Sequence, residues 1–271
     1  MGLLPSQPVS GMVSSVSCRC ATEGVLMLVN LLRSFKQRSG RSKVSIRLEE
    51  NYPDIIEPEF RAALELCRPA SMTSIERLYA VYIATRYAVA SGVPGDLVEC
   101  GVWKGGSVMM MASTLLGMGV SDRVIHLFDT YEGMTAPSEK DIDLAGNVMS
   151  KVGAENPGWL CAGIDEVRAN VARTGYPLAR LHFVKGDVLE TIPVQAPERI
   201  ALLRLDTDWY ESTRHELEHL FPRLAPRGVL IIDDYGHYLG VRQAVDEYLA
   251  RQKEKYFLQR VDYSARVLIK A

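Results

Sequence analysis

Two pairs of aspartates, Asp206-Thr207-Asp208 and Asp233-Asp234, each close a short apolar run. Carboxylates gathered in that way can hold a hard cation or move a proton. Several of them in a small volume repel one another, so that one takes up a proton or a cation neutralises them. In extended backbone, side chains two apart share a face, which lets Asp206 and Asp208 point the same way. Asp233 and Asp234 are adjacent and point apart unless the loop turns both toward one cleft. A plainer role also suits these residues: Asp208 and Ser212 are good helix N-caps, and Asp-Asp-Tyr-Gly after a strand is ordinary turn chemistry.

The elements that must position the acids are legible around them. Ile200 to Leu205 is apolar except for Arg204 and reads as a buried parallel strand, and Gly228 to Ile232 repeats the device. Parallel neighbours need a crossover, and Tyr210 to Leu224 supplies one, with Leu217, Leu220, Phe221 and Leu224 at helical spacing. Both pairs then fall at the carboxyl edge of an open α/β sheet, where such folds place ligands.

Upstream, Asp96 to Gly101 (DLVECG) predicts a further buried strand, followed by a glycine turn ending at Ser107 and an apolar helix from Val108 to Leu116. At such a junction backbone amides can approach a polar ligand closely. The spacing E-x-G-x-x-x-G-G matches neither the dinucleotide fingerprint nor a Walker loop. The next apolar strand, Val124 to Phe128, ends at Asp129, where nucleotide-binding α/β folds set an acid on the ribose hydroxyls. A ribose ligand without a phosphate-binding loop points to S-adenosylmethionine rather than NAD. Asp187 follows a strand at Leu181 to Val184, and either meets an adenine amino group or caps the segment after it.

The remainder of the chain divides into three. Residues 1–21 are rich in Ser, Gly and Cys without pattern and are expected to be flexible. Residues 22–94 predict an N-terminal helical cap, with helices at Thr22 to Arg38, Pro58 to Cys67 and Ser71 to Ala90, the last capped by Ser71 or Thr73. Residues 95–271 form the main domain. Within it, Tyr131 to Leu160 carries four glycines and two prolines with little periodicity, and reads as an unstructured lid or binding loop. Ile164 to Thr174 and Val241 to Lys253 read as helices, and Tyr256 to Val261 and Ala265 to Ile269 as a closing pair of strands.

Composition excludes several classes. The 31 basic and 33 acidic residues give a net charge of −2, which leaves no electrostatic footprint for nucleic acid. Five scattered cysteines (Cys18, Cys20, Cys67, Cys100, Cys161) argue against a disulfide framework and for a cytoplasmic protein. No apolar run approaches the roughly 20 residues of a membrane span. His215 and His219 share a helix face without a third zinc ligand, His237 lies just beyond the acid pair, and Trp209 and Tyr210 either pack or face a sugar ring.

Taken together, VECGVWKGGS, HLFDTYEGM, the acid block from Leu203 to Tyr248 and MTSIERLYAVYIATRYAV resemble the macrocin O-methyltransferase family, metal-dependent enzymes that methylate sugar hydroxyls on natural products. The resemblance runs from about Met72 to about Tyr248. It implies a class I methyltransferase, a Rossmann-like αβα sandwich with a mostly parallel sheet. It makes Asp208, Asp233 and Asp234 ligands of Mg2+ and Asp206 the general base. It assigns Glu99 and Asp129 to S-adenosylmethionine, and Gly101, Ser107, Asp187 and Met72 are expected in the same cofactor site. The acceptor implied is a sugar on a glycosylated metabolite or a saccharide, and the assembly expected is a homodimer or a higher homo-oligomer. Two alternatives stand beside it: a catechol-type O-methyltransferase on a small phenol, favoured by an aromatic lid, and a non-catalytic cofactor-binding protein, favoured by loss of a metal acid.

Overall fold

The computed structural model describes residues 51–155 and 158–271. The expectations for residues 1–21, for a helix at 22–38 and for Cys18 and Cys20 lie outside the described residues. Helix α1 (Pro58–Cys67) opens with a proline in its first turn, and α2 (Ile75–Ala90) follows. The cap of α2 is Ser74, whose Oγ accepts the Arg77 amide at 3.2 Å, not Ser71 or Thr73. Ser71 Oγ is already taken by the Thr73 N–H at 3.2 Å, which leaves Ser74 as the residue with extended backbone at the helix start.

Strands β1 (Asp96–Cys100) and β2 (Ile125–Asp129) flank α3 (Gly106–Gly117) in sequence. Then come α4 (Met149–Glu155), α5 (Ile164–Ala172), β3 (Leu181–Lys185) and the short α6 (Val188–Thr191). The acid block supplies β4 (Ile200–Leu205), α7 (Tyr210–Leu220), β5 (Leu224–Ile232) and α8 (Leu239–Ala250), and the chain closes with β6 (Gln259–Arg260) and β7 (Arg266–Ile269). The segment from Tyr131 to Leu160 is therefore not free of structure. It holds α4, and the bridges Ile142 to Val148 and Asp143 to Tyr238 fasten it to itself and to the start of α8.

The sheet has seven strands in the order β3-β2-β1-β4-β5-β7-β6. The first five are parallel, and β7 runs antiparallel to both neighbours. Strand order reverses between β1 and β4, and that switch point is where open α/β sheets bind ligands. Alternation along the strands feeds two cores. Leu97, Ile125, Leu202 and Ile231 pack with α1, α2 and α3 on one face. Val98, Phe128, Leu203 and Ile232 pack with Leu217 of α7 and Val241 and Val245 of α8 on the other. The result is a three-layer αβα sandwich. Among the described residues no helix is long and apolar enough to cross a membrane.

Candidate active site

Four hydrogen bonds knit five strand ends side by side at the carboxyl edge. Gly101 N–H donates to Phe128 O (2.9 Å), Asp206 N–H to Cys100 O (2.9 Å), Asp233 N–H to Leu205 O (2.9 Å) and Gly186 N–H to Asp129 O (3.0 Å). This continuation of the ladder past each strand fixes where the acids emerge. They open on a cavity of about 270 Å³, walled by the glycine turn after β1, by Met72, Thr73 and Arg77 from the start of α2, and by Asp206, Asp208, Asp233 and Asp234.

The acids fall into two sets. Carboxylate oxygens of Asp206, Asp208 and Asp234 lie within 4.8 Å of one another. Asp208 has left-handed backbone (φ 68°), a costly conformation for a residue with a Cβ, which turns it beside Asp206. Burial pushes Asp208 up to about 7, and it pushes Asp206 and Asp234 well above the usual carboxylate range, with their mutual repulsion adding to it. Asp233 is different. Burial would raise it, but the Arg204 and Arg77 guanidiniums, at 2.6 and 2.5 Å, outweigh burial and hold it below its ordinary value.

Arg204 is the residue that arranges this edge. It is 1% exposed one residue from the end of β4 and reaches carboxylates at three neighbouring strands: Glu99 of β1, Asp206 just past the end of β4 (2.7 Å) and Asp233 just past the end of β5 (2.6 Å). Glu99, assigned from the sequence to the cofactor, is 1% exposed and turned to this arginine; burial pushes it up to about 7 against the pull of the guanidinium. Arg77 reaches in from α2, its Nε on Asp262 at 2.8 Å.

On the cofactor side, Asp129 braces the glycine turn. Its Oδ2 accepts the amides of Val102 (2.6 Å) and Trp103 (3.0 Å), and its Oδ1 accepts that of Tyr131 (2.7 Å). Gly101 has positive φ (81°), and a Cβ there would lie 2.0 Å from the Asp206 carbonyl oxygen, so only glycine passes the β1 and β4 ends this closely. Ser107, buried in the first turn of α3, and Met72, 59% exposed, both face the cavity. Asp187 caps α6 through the Leu189 amide (2.9 Å) and stands at the mouth of a smaller pocket next to Asp129.

A family model, described as macrocin-O-methyltransferase (TylF), matches residues 61–270. The chain belongs to the macrocin O-methyltransferase family. Among its curated relatives, the 8-demethyl-8-(2,3-dimethoxy-alpha-L-rhamnosyl)-tetracenomycin-C 4'-O-methyltransferase of Streptomyces olivaceus is 38% identical over 181 residues, 67% of this chain and 68% of the relative. The mycinamicin III 3''-O-methyltransferase of Micromonospora griseorubida is 33% identical over 183 residues, 67% and 70% of the two chains. The solved structure of the O-methyltransferase NovP superposes with a TM-score of 0.68 at 30% identity, covering 74% of this chain and 82% of that one. The protein is an S-adenosylmethionine-dependent O-methyltransferase with the class I fold.

Sequence reasoning passed over the two arginines of this methyltransferase. For Arg204 a signal existed, since an arginine inside an otherwise apolar strand is costly to bury unless paired. Arg77 carries none, being one charged residue among several on α2. The histidine pair does no such work: His215 Nε2 lies against the Ile192 carbonyl at 2.9 Å, and among the described residues the aspartate trio is the group of three that could hold a metal. Trp209 packs between Trp159 and Tyr238, at 6.1 and 5.4 Å between ring centroids, and its Nε1 donates to Thr135 O (3.1 Å), so it seats the loop that follows β2.

Proposed function

We propose that the protein methylates a hydroxyl of a sugar, carried on a glycosylated metabolite or a saccharide, with Mg2+ held by Asp206, Asp208 and Asp234. The observation that carries this reading is the convergence of those three carboxylates in a cavity that the glycine turn also lines. The donor set fits a hard cation: it is all oxygen, and Arg77 and Arg204 are committed to Asp233, Asp262 and Glu99 as well as to Asp206. Bound there, a divalent cation would supply acidification and orientation of the hydroxyl it touched. The two relatives are named for methylating a rhamnosylated tetracenomycin and mycinamicin III, which supports a sugar acceptor.

The chain's own residues do the rest. The glycine turn, Ser107 and Met72 line the place for the methyl donor, and Asp129 keeps that turn in shape. The acceptor hydroxyl loses its proton to a carboxylate of the trio. Asp206, the base implied by the family resemblance, has one oxygen on Arg204 at 2.7 Å. No salt bridge engages Asp208 among the described residues, so Asp208 takes the proton in this reading. The cavity's apolar edge, Met134, Trp159 and Leu160, favours a second reading, a phenolic acceptor of the catechol type. Methyl transfer from S-adenosylmethionine to a set of glycosides and to catechol, with Mg2+ or with EDTA, tests both. Glycoside methylation lost in EDTA is expected. Full activity in chelator would sink the metal role, and turnover of catechol alone the sugar.

A further inference from the structure

The turn between β6 and β7 is locked to the acid loop on both sides of Tyr263, yet Tyr263 itself is left half in the open. Asp262 accepts the amides of Ser264 (2.8 Å) and Ala265 (2.7 Å) on one oxygen, and Arg77 Nε (2.8 Å) and Ser74 Oγ (3.0 Å) on the other. Ser264 is fully buried; its Oγ donates to Asp233 O (2.9 Å) and its carbonyl accepts the Gly236 amide (2.8 Å). The approach is so close that a Cβ on Gly236 would lie 1.9 Å from the Tyr263 carbonyl oxygen. Between these fixed points the Tyr263 side chain is 49% exposed and lines the same cavity as the aspartate trio.

Its surroundings hold the ring in place and leave about half of the residue open. The Arg77 guanidinium lies over the ring at 5.5 Å from its centroid, His237 packs edge-on at 6.0 Å, and the Tyr263 hydroxyl lies 3.4 Å from His237 Nδ1. An aromatic face kept exposed on a rigid support loses little entropy when a ligand covers it, which is how anchoring rings gain affinity. Resting on the proposed function, we propose that Tyr263 is a specificity-determining residue whose ring takes the C–H face of the acceptor sugar while His237 flanks it. Ring C–H groups of a sugar pack on an aromatic face through apolar burial and weak C–H contacts, which suit a tyrosine better than a charged side chain. Tyr263 has no hydrogen bond to the trio among the described residues, so its contribution is to acceptor binding rather than to the chemistry.

The test is steady-state methylation of α-L-rhamnopyranosides bearing methyl, phenyl and polyketide aglycones, with S-adenosylmethionine and Mg2+, alongside catechol. Tyr263→Ala is expected to raise KM for the glycoside roughly 10-fold or more while kcat stays within about 3-fold. Tyr263→Phe keeps the ring and is expected to stay near the parent. Affinity for S-adenosylhomocysteine, read by calorimetry, stays unchanged in both, whereas a merely structural role would lower it. An unaltered KM in Tyr263→Ala, or a fall in kcat alone, overturns the assignment of Tyr263 and leaves the sugar reading standing. Methylation of catechol with no glycoside methylated overturns the sugar reading itself.

Discussion

Arg204 touches carboxylates from three strands, and its surroundings show how one buried charge can sort four aspartates. Asp233 is held by two arginines and kept ionised, while Asp206, which shares Arg204, converges with Asp208 and Asp234 at raised proton affinity. The resemblance implies a different trio, Asp208, Asp233 and Asp234; which way adjacent acids turn is not written in their order along the chain. The strand ends themselves were legible, since each is a break in an apolar run at an aspartate. The partners of Glu99 were not: Arg204 is 105 residues away, and no local pattern encodes that pairing. Asp208→Asn keeps the size of the side chain and removes one charge from the trio. It is expected to lower methyl transfer by ~10²-fold or more while leaving the unfolding midpoint in urea near that of the parent; ordinary turnover would remove Asp208 from the site.

Helix α7 carries two devices that hold the Asp206 to Asp208 loop, one behind it and one at its own start. Behind it, Glu216 is fully buried and both its oxygens accept from Thr207 Oγ1, at 3.0 and 3.1 Å. Burial pushes this carboxyl up to about 8, with Asp187 adding to the rise and Thr207 offsetting it. A folded-state value above the unfolded one of roughly 4.3 means that the stabilisation of the protonated form is complete below roughly pH 4.3 and is lost as pH rises toward about 8. Glu216→Gln is expected to remove that slope, at most about 1.4 kcal/mol per pH unit, so that urea unfolding of the variant is flatter than the parent between pH 5 and 8; parallel curves would contradict it. At the start of α7, Asp141 is fully buried in the segment following β2, and its Oδ1 accepts the Tyr210 amide (2.7 Å) while its Oδ2 accepts the amide and hydroxyl of Ser138. A Cβ on Gly240 would lie 2.4 Å from that Oδ1. Gly240→Ala is therefore expected to undock the segment at a cost of about 1 to 3 kcal/mol, seen as faster amide hydrogen exchange across residues 138–149; unchanged protection would refute the contact. The low periodicity of Tyr131 to Leu160 concealed this ordering, because the segment is held by single buried polar contacts and not by an apolar stripe.

Over the whole molecule, short apolar runs alternating with helical segments were enough to expect a mostly parallel sheet between layers of helices, and the structure has one. Helix boundaries were less legible, since α2 is capped by Ser74, whose Oγ accepts the Arg77 amide, while Ser71 Oγ accepts the Thr73 amide instead. None of the glycine turn, Ser107 and Met72 supplies a carboxylate to the trio that could hold a cation, so binding of the methyl donor is expected to be independent of the metal. S-adenosylhomocysteine at about 100 times its Kd should raise the melting temperature by roughly 5 to 10 °C, equally in EDTA and in Mg2+; a shift that appears only with Mg2+ would show the two sites to be one. Arg77 joins Asp262 across 185 residues of chain, and that separation sets a clock. At ordinary ribosomal rates of about 5 to 20 residues per second, roughly 10 to 40 s pass between the emergence of the two partners. Asp233, the other carboxylate on Arg77, emerges before Asp262, so α2 is tied first to the acid loop, and the β6–β7 turn folds back onto that helix only afterwards.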